Sequence, residues 1–275
     1  IDVVREIKER CGEDFTVIYR MDLTQALNES YGDQVFKKMF KGQERTIEEG
    51  LEFCQVLAET GVDAFDVDKG CYDNWFYPHP PAYFDDIPYV EQTAGRLKAF
   101  FQSNGIQAKV IAVGKLGKPD RAVEVLRQGW ADFFMLGRPL LADPYWPQKV
   151  REGRVREIIH CIGDQEGCIQ SFILGGHPCC TVNPYTGFED SKQLVKAKRV
   201  KNIAIVGAGP AGCEAAKTAH SRGHQVTLFE KTNSVGGQLL TGSRMKIKHD
   251  LALYINNLQY QMDLLEKEGI NINYN

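Results

Sequence analysis

Residues 201–231, KNIAIVGAGPAGCEAAKTAHSRGHQVTLFEK, carry the most specific pattern in the chain. An apolar strand (NIAIVG, 202–207) runs into a glycine-rich turn, a helix follows, and a second strand (QVTLFE, 225–230) ends on Glu230. Gly207 permits the tight turn, Gly209 lets a pyrophosphate reach the helix N-terminus, and Gly212 allows close helix–strand packing. Glu230 lies 23 residues beyond Gly207, where an acid accepts hydrogen bonds from a ribose. Strand, turn, helix, strand and acid in this order predict a Rossmann-like dinucleotide-binding fold. Downstream, SVGGQL (234–239) offers a second close backbone approach at Gly237 and Gln238, and a helix is expected over about 249–268. With only one further strand-like run before the last residue, the reading is of a partial domain over 192–275.

Upstream, KQLVKAKRV (192–200) reads as a basic, solvated linker. Before it, residues 154–191 lose any strand–helix rhythm and hold a cysteine cluster. Of eight cysteines, Cys161, Cys168, Cys179 and Cys180 fall within this segment. That clustering is unlike a spread disulfide framework, and with no secretory signal it suits a reducing cytoplasm and a metal or cluster site. Cys161, Asp164, Cys168 and Cys180 are separated by two, three and eleven residues. An iron–sulfur cluster, zinc and inert thiols all remain open on spacing alone, although a zinc ribbon would want a second close cysteine pair. Cys11, Cys54 and Cys213 sit in helical patterns and are expected to be buried free thiols.

Residues 1–153 alternate strands and helices. Helical patterns over 1–11, 45–61, 88–104, 119–129 and 145–152 are interleaved with the apolar runs TVIYRM (16–21), VDAFDVD (62–68), AKVIAVG (108–114) and ADFFMLG (131–137). Four such units imply a parallel sheet with right-handed crossovers. A doubly wound sheet and half of a (β/α)8 barrel both fit the rhythm. Cations close three of the strands: Arg20, Lys115 after Gly114, and Arg138 after Gly137. The two Gly–cation pairs suit one phosphate, since glycine admits the backbone N–H and the cation pairs with the oxygens. In a barrel the phosphate site lies after strands 7 and 8.

The 275 residues are 43% hydrophobic and 25% charged, with 33 basic against 36 acidic residues and a net charge of −3. That balance argues against a polybasic nucleic-acid or membrane binder. No apolar run approaches the ~18 residues of a membrane-spanning helix. The chain opens on Ile1 without Met and stops just after a strand-like run, and it reads as an internal fragment.

Taken in order, VIYRM (17–21), VIAVGKL (110–116), MLGRPLLADPYWPQKVREGR (135–154), CIGDQEGC (161–168), CCTVNP (179–184), GAGPAG (207–212), FEK (229–231) and GGQL (236–239) resemble the multidomain flavoprotein reductases of the old yellow enzyme family. That group includes 2-enoate and 2,4-dienoyl-CoA reductases, trimethylamine dehydrogenase and bile-acid-inducible oxidoreductases. The resemblance implies strands 5 to 8 of an FMN-binding (β/α)8 barrel, a [4Fe–4S] segment and part of an FAD- and NAD(P)H-binding domain. It places Arg20 at the pyrimidine edge of the flavin, and Gly114, Lys115, Gly137 and Arg138 at the FMN phosphate. Cys161, Cys168 and Cys180 become cluster ligands, with Asp164 where the family has its second cysteine. A carboxylate is a harder donor than a thiolate, so an Asp-ligated cluster, a three-iron cluster, a lost site or replacement by Cys179 are the alternatives.

The implied reaction is reduction of the C=C bond of an α,β-unsaturated carbonyl compound, a 2-enoate or enoyl-CoA. Electrons would pass from NAD(P)H through FAD and the cluster to FMN. In GCYDNWFYPHPP (70–81), Tyr72 and His79 are the candidates for binding a carbonyl oxygen or supplying a proton. The rivals are an amine or sterol/bile-acid oxidoreductase on the same scaffold, or a non-catalytic fragment. The expected partner is a small molecule, with no nucleic acid and no membrane; a homo-oligomer is compatible with the sequence.

Overall fold

A computed structural model of the chain describes residues 1–80 and 89–275. Pro81, the last residue of the GCYDNWFYPHPP stretch, and the first residue of the helix expected at 88 lie outside the described residues. The chain forms two compact units, Ile1–Leu136 and Gly137–Asn275.

In the first unit, α1 (Asp2–Cys11) precedes β1 (Ile18–Asp22), α2 (Leu27–Met39), α3 (Ile47–Thr60) and β2 (Ala64–Asp68). A π-helical turn (Glu91–Gly95) leads into α4 (Arg96–Ser103), then β3 (Lys109–Ala112), α5 (Pro119–Arg127) and the two-residue β4 (Phe133–Phe134). The four strands are parallel and adjacent in the order β1-β2-β3-β4. A doubly wound sheet reverses its strand order at a switch point, whereas a barrel adds each strand beside the last. The sequential order therefore selects the barrel arc of the two architectures that periodicity left open.

Helices cover the sheet because their apolar faces have nowhere else to go. Phe65 of β2 meets Phe101 of α4 edge-on, with ring centroids 5.4 Å apart, and Val67, Leu97, Val110 and Val125 are fully buried around them. Lys98 of α4 pairs with Asp132 at 2.7 Å, and Asp132 accepts the Val110 N–H at 2.8 Å, which ties helix and strands together. Cys54 is buried as expected, but Cys11 is exposed. It is the last residue of α1, beyond Val4 and Lys8, the residues which that helix buries, and the chain turns away at Gly12 immediately after it.

The second unit opens with α6 (Arg138–Ala142) and α7 (Trp146–Arg151), which precede the cysteine segment, and α8 (Ser171–Ile173), which lies within it. There follow β5 (Asn202–Val206), α9 (Pro210–Ser221), β6 (Gln225–Glu230), α10 (Leu239–Gly242), α11 (Asp250–Lys267) and β7 (Asn271–Tyr274). Its three strands are parallel in the order β5-β6-β7. Cys213 and Ala216 of α9 pack with Leu258 and Met262 of α11 against Leu228. Among the described residues, no helix is long and apolar enough to cross a membrane.

Candidate functional site

The carboxyl ends of β1 and β2 carry an unusual density of charge. β2 is buried at all five positions, yet two of these are Asp66 and Asp68. Arg20 lies opposite Asp66 in register, and its guanidinium bridges both acids: Nη1 donates to Asp66 Oδ2 at 2.8 Å and Nη2 to Asp68 Oδ2 at 2.6 Å. Burial raises the Asp66 carboxyl above the usual carboxylate range, outweighing the Arg20 charge that opposes it. Burial likewise raises Asp68, against hydrogen bonds from the Tyr89 hydroxyl and the Lys69 N–H. Tyr89 is itself held far above its ordinary pKa by burial and by the Asp68 charge.

Beside this cluster lies a second one. Lys69 is buried, pairs with Glu29 at 2.7 Å, and sits 4.6 Å from the centre of the Tyr77 ring. The Tyr77 hydroxyl donates to the same Glu29 at 2.5 Å. Sequence reasoning identified Arg20 and puts Asp66 to Gly70 at the end of the second strand, but it assigns no role to Asp66, Asp68 or Lys69 and does not single out Tyr89. The available signal was the acids themselves, two ionisable groups at alternate positions of an apolar parallel strand.

Gly114 has φ 105°, and a Cβ there would lie 2.5 Å from the Tyr89 ring, so only glycine fits between strand end and ring. Lys115 follows it with φ 52° and is half-buried. Tyr72 and His79 flank Trp75, with ring centroids 5.1 and 4.8 Å from it, so one turn brings both predicted residues together. Tyr72 is 79% exposed. The turn is anchored by buried Asn74, whose amide donates to the Gln25 carbonyl at 2.7 Å and to Ser30 at 2.8 Å, and whose oxygen accepts the Cys71 N–H at 2.6 Å.

In the second unit, Gly137 caps α6 and a Cβ on it would meet nothing within 4 Å. Arg138 lies close enough to Cys161 to favour its thiolate, although burial still raises that thiol overall. Cys161, Cys168 and Cys180 bear on one another electrostatically, and Asp164 bears on Cys161. Backbone N–H groups reach two of the sulfurs: Gly163 donates to Cys161, and Val182 and Asn183 donate to Cys180. Burial nonetheless lifts Cys180 to about 11. The Cys179 N–H donates to the Gly167 carbonyl at 2.8 Å, which draws the two halves of the segment together. Among the described residues, no three His, Cys, Asp or Glu close around a single metal ion. The three thiols, with N–H donors at two of the sulfurs, are the kind of donor set that an iron–sulfur cluster takes.

The glycine-rich loop has the shape expected of it. Gly207 has φ 98°, and neither it nor Gly209 has an atom within 4 Å of a built Cβ, so the backbone is open to a ligand. A Cβ on Gly212 would lie 1.9 Å from the Gly207 carbonyl. Gly237 approaches the Gly209 Cα to 3.2 Å by the same measure, and the Gly236 N–H donates to the Ala208 carbonyl at 2.8 Å. The second glycine pair thus packs on the first, with Gln238 exposed beside it. Glu230 is buried and bound inward: it accepts the Ala208 N–H at 2.7 Å and the Thr232 N–H and hydroxyl at 2.9 Å. A carboxylate has about four lone-pair sites, so these bonds leave acceptor capacity for a ribose.

The pattern of the NADH:flavin oxidoreductase / NADH oxidase family matches residues 1–157, and that of an NAD(P)-binding Rossmann-like domain matches 205–266. The chain is 35% identical over 252 residues to a cinnamate reductase of Clostridium sporogenes, covering 90% of this chain and 36% of that protein. It is 36% identical over 241 residues to an NADH oxidase of Thermoanaerobacter brockii, covering 87% and 34%. The solved 2-naphthoyl-CoA reductase, in complex with 2-naphthoyl-CoA, superposes with a TM-score of 0.84 at 27% identity, over 100% of this chain and 38% of that one. The chain thus spans little more than a third of the length of these proteins.

Proposed function

Since this chain belongs to the NADH:flavin oxidoreductase / NADH oxidase family, we propose that it is part of a flavoenzyme that reduces the activated C=C bond of an α,β-unsaturated carbonyl compound. The observation that carries this reading is the 35% identity to cinnamate reductase over 90% of the chain. Bound FMN would supply the hydride for the β carbon, with FAD and a [4Fe–4S] cluster relaying electrons from NAD(P)H. The chain's own residues do the rest. Arg20 presents guanidinium donors at the strand ends and would stabilise the negative charge of a reduced flavin held there. Lys115 and Arg138, each beside a glycine, are the cations assigned to phosphate oxygens.

Tyr72 or His79 holds the carbonyl oxygen and delivers a proton to the α carbon, and the Trp75 ring between them fixes their spacing. Cys161, Cys168 and Cys180 supply three thiolates to the cluster, with Asp164 as the fourth donor. The Gly207–Gly212 turn, Glu230, Gly237 and Gln238 take the dinucleotide. Anaerobic turnover with a 2-enoate, an enoyl-CoA and a dialkylamine tests the substrate class. Oxidation of the amine without reduction of either alkene would reverse the assignment. Tyr72→Phe and His79→Gln separate the two candidates: the proton donor's variant should lose about 10²–10⁴-fold in kcat. Unchanged kcat in both would remove them from the chemistry.

A further inference from the structure

Arg20 is the cation that the flavin reading depends on, and the geometry surrounds it with two carboxylates. Asp66 and Asp68 are two residues apart on β2 and so point to one face of the sheet. The guanidinium divides its terminal nitrogens between them, at 2.8 Å and 2.6 Å, instead of forking onto one. Such bridging fixes the plane of the guanidinium, which a single partner would leave free to swing.

The two acids are held differently. Asp68 Oδ1 accepts from the Tyr89 hydroxyl and, at 2.9 Å, from the Lys69 N–H, so it stays in place without Arg20. Asp66 is 1% exposed, and its Oδ1 is buried with no hydrogen-bond partner among the described residues. Arg20 is therefore the group on which Asp66 relies for compensation of its charge. The neighbouring cation, Lys69, is engaged by Glu29. The Arg20 side chain keeps 52% of its surface exposed, which leaves it open to a ligand.

We propose that Asp66 and Asp68 are positioning residues that clamp Arg20 and attenuate its charge, so that Asp66 tunes how strongly the bound flavin attracts electrons. A free cation at the flavin edge would favour the reduced, anionic ring fully. A clamped one offers directed N–H donors with part of its charge already neutralised. The inference rests on the proposed placement of FMN beside Arg20.

Sulfite reports on this directly in the FMN-loaded holoprotein. Its lone pair forms a bond to flavin N5, and the displaced pair settles on the N1–C2 carbonyl, so no other reactant is needed. Asp66→Asn retains the oxygen facing Arg20 and puts its NH2 where Oδ1 lacks a partner, removing charge but not shape. The expected result is a sulfite Kd about tenfold lower, equivalent to ~30 mV for a two-electron couple, with flavin content unchanged. An unchanged or weaker Kd with FMN retained overturns the clamp. Should Asp66→Asn not hold FMN, Asp68→Asn decides: its oxygen can keep the Tyr89 and Lys69 hydrogen bonds while the other charge beside Arg20 is removed, so sulfite should bind more tightly, and unaltered or weaker binding overturns the proposal. A wild-type protein that takes up no FMN overturns the flavin reading itself, and this inference with it.

Discussion

Glu230 accepts three hydrogen bonds from its own chain, and those bonds favour the ionised carboxyl. They hold it below the ordinary glutamate range, the Ala208 N–H contributing most. A group whose folded pKa is depressed adds stability that is fully present above its unfolded pKa, about 4.3 for glutamate, and lost as pH falls through the folded value. Glu230→Gln should therefore lower Tm at pH 7, with the deficit shrinking as the pH drops below about 4. Thermal unfolding across that range checks it. A deficit independent of pH would mean that shape, not charge, holds the turn around Ala208. The same bonds mean that a ribose would meet an acid already fixed in place, so little ordering is needed when a dinucleotide binds.

At the scale of the element, α3 shows what sets a helix in register on the sheet. The Thr46 hydroxyl accepts the Glu49 N–H at 3.2 Å, and the Glu49 carboxylate accepts the Thr46 N–H at 2.8 Å, a reciprocal capping box. Thr46→Ala should cost about 1 kcal/mol. Gly50, one turn on, is constrained more severely: a Cβ would lie 2.2 Å from the Leu23 carbonyl oxygen. Alanine would gain about 1 kcal/mol of helix propensity, but overpacking against backbone costs about 1–3 kcal/mol. Because the obstructing atom is main chain, the clash should win and Gly50→Ala should be less stable than the wild type by denaturant titration. A stabilised Gly50→Ala would show that α3 can slide away from β1. α2 went unread for a related reason. It buries only Leu27 and Phe36 and is broken by Gly32 at φ 74°, so no apolar period marks it.

At the scale of the whole molecule, the proposed cluster and dinucleotide sites draw their residues from the second unit. Cys168→Ala should abolish bound iron and acid-labile sulfide while flavin content persists. NADH-driven turnover should then fail, whereas a chemically reduced flavin should still reduce the alkene. Iron retained at the wild-type level would remove Cys168 from the ligand set. Much of this architecture was legible in advance. Glycine spacing at 207, 209 and 212 marks a turn because Gly207 takes a positive φ and a Cβ on Gly212 would strike the Gly207 carbonyl, while Gly209 leaves the backbone open to a ligand, and apolar runs alternating with amphipathic ones dictate strands and helices. Those are local constraints, written within a few residues of where they act. Strand order was not local: choosing a barrel arc over a doubly wound sheet required knowing which strands pair. The Arg20 clamp was less local still, since Arg20 and Asp66 are 46 residues apart and meet only through the parallel register of β1 and β2. By itself, then, the sequence determined most of the elements, the dinucleotide turn and the cations at three of the first four strand ends. Only the tertiary structure decided that two buried acids partner one of those cations, because charge compensation in an apolar sheet depends on distances that chain order does not encode.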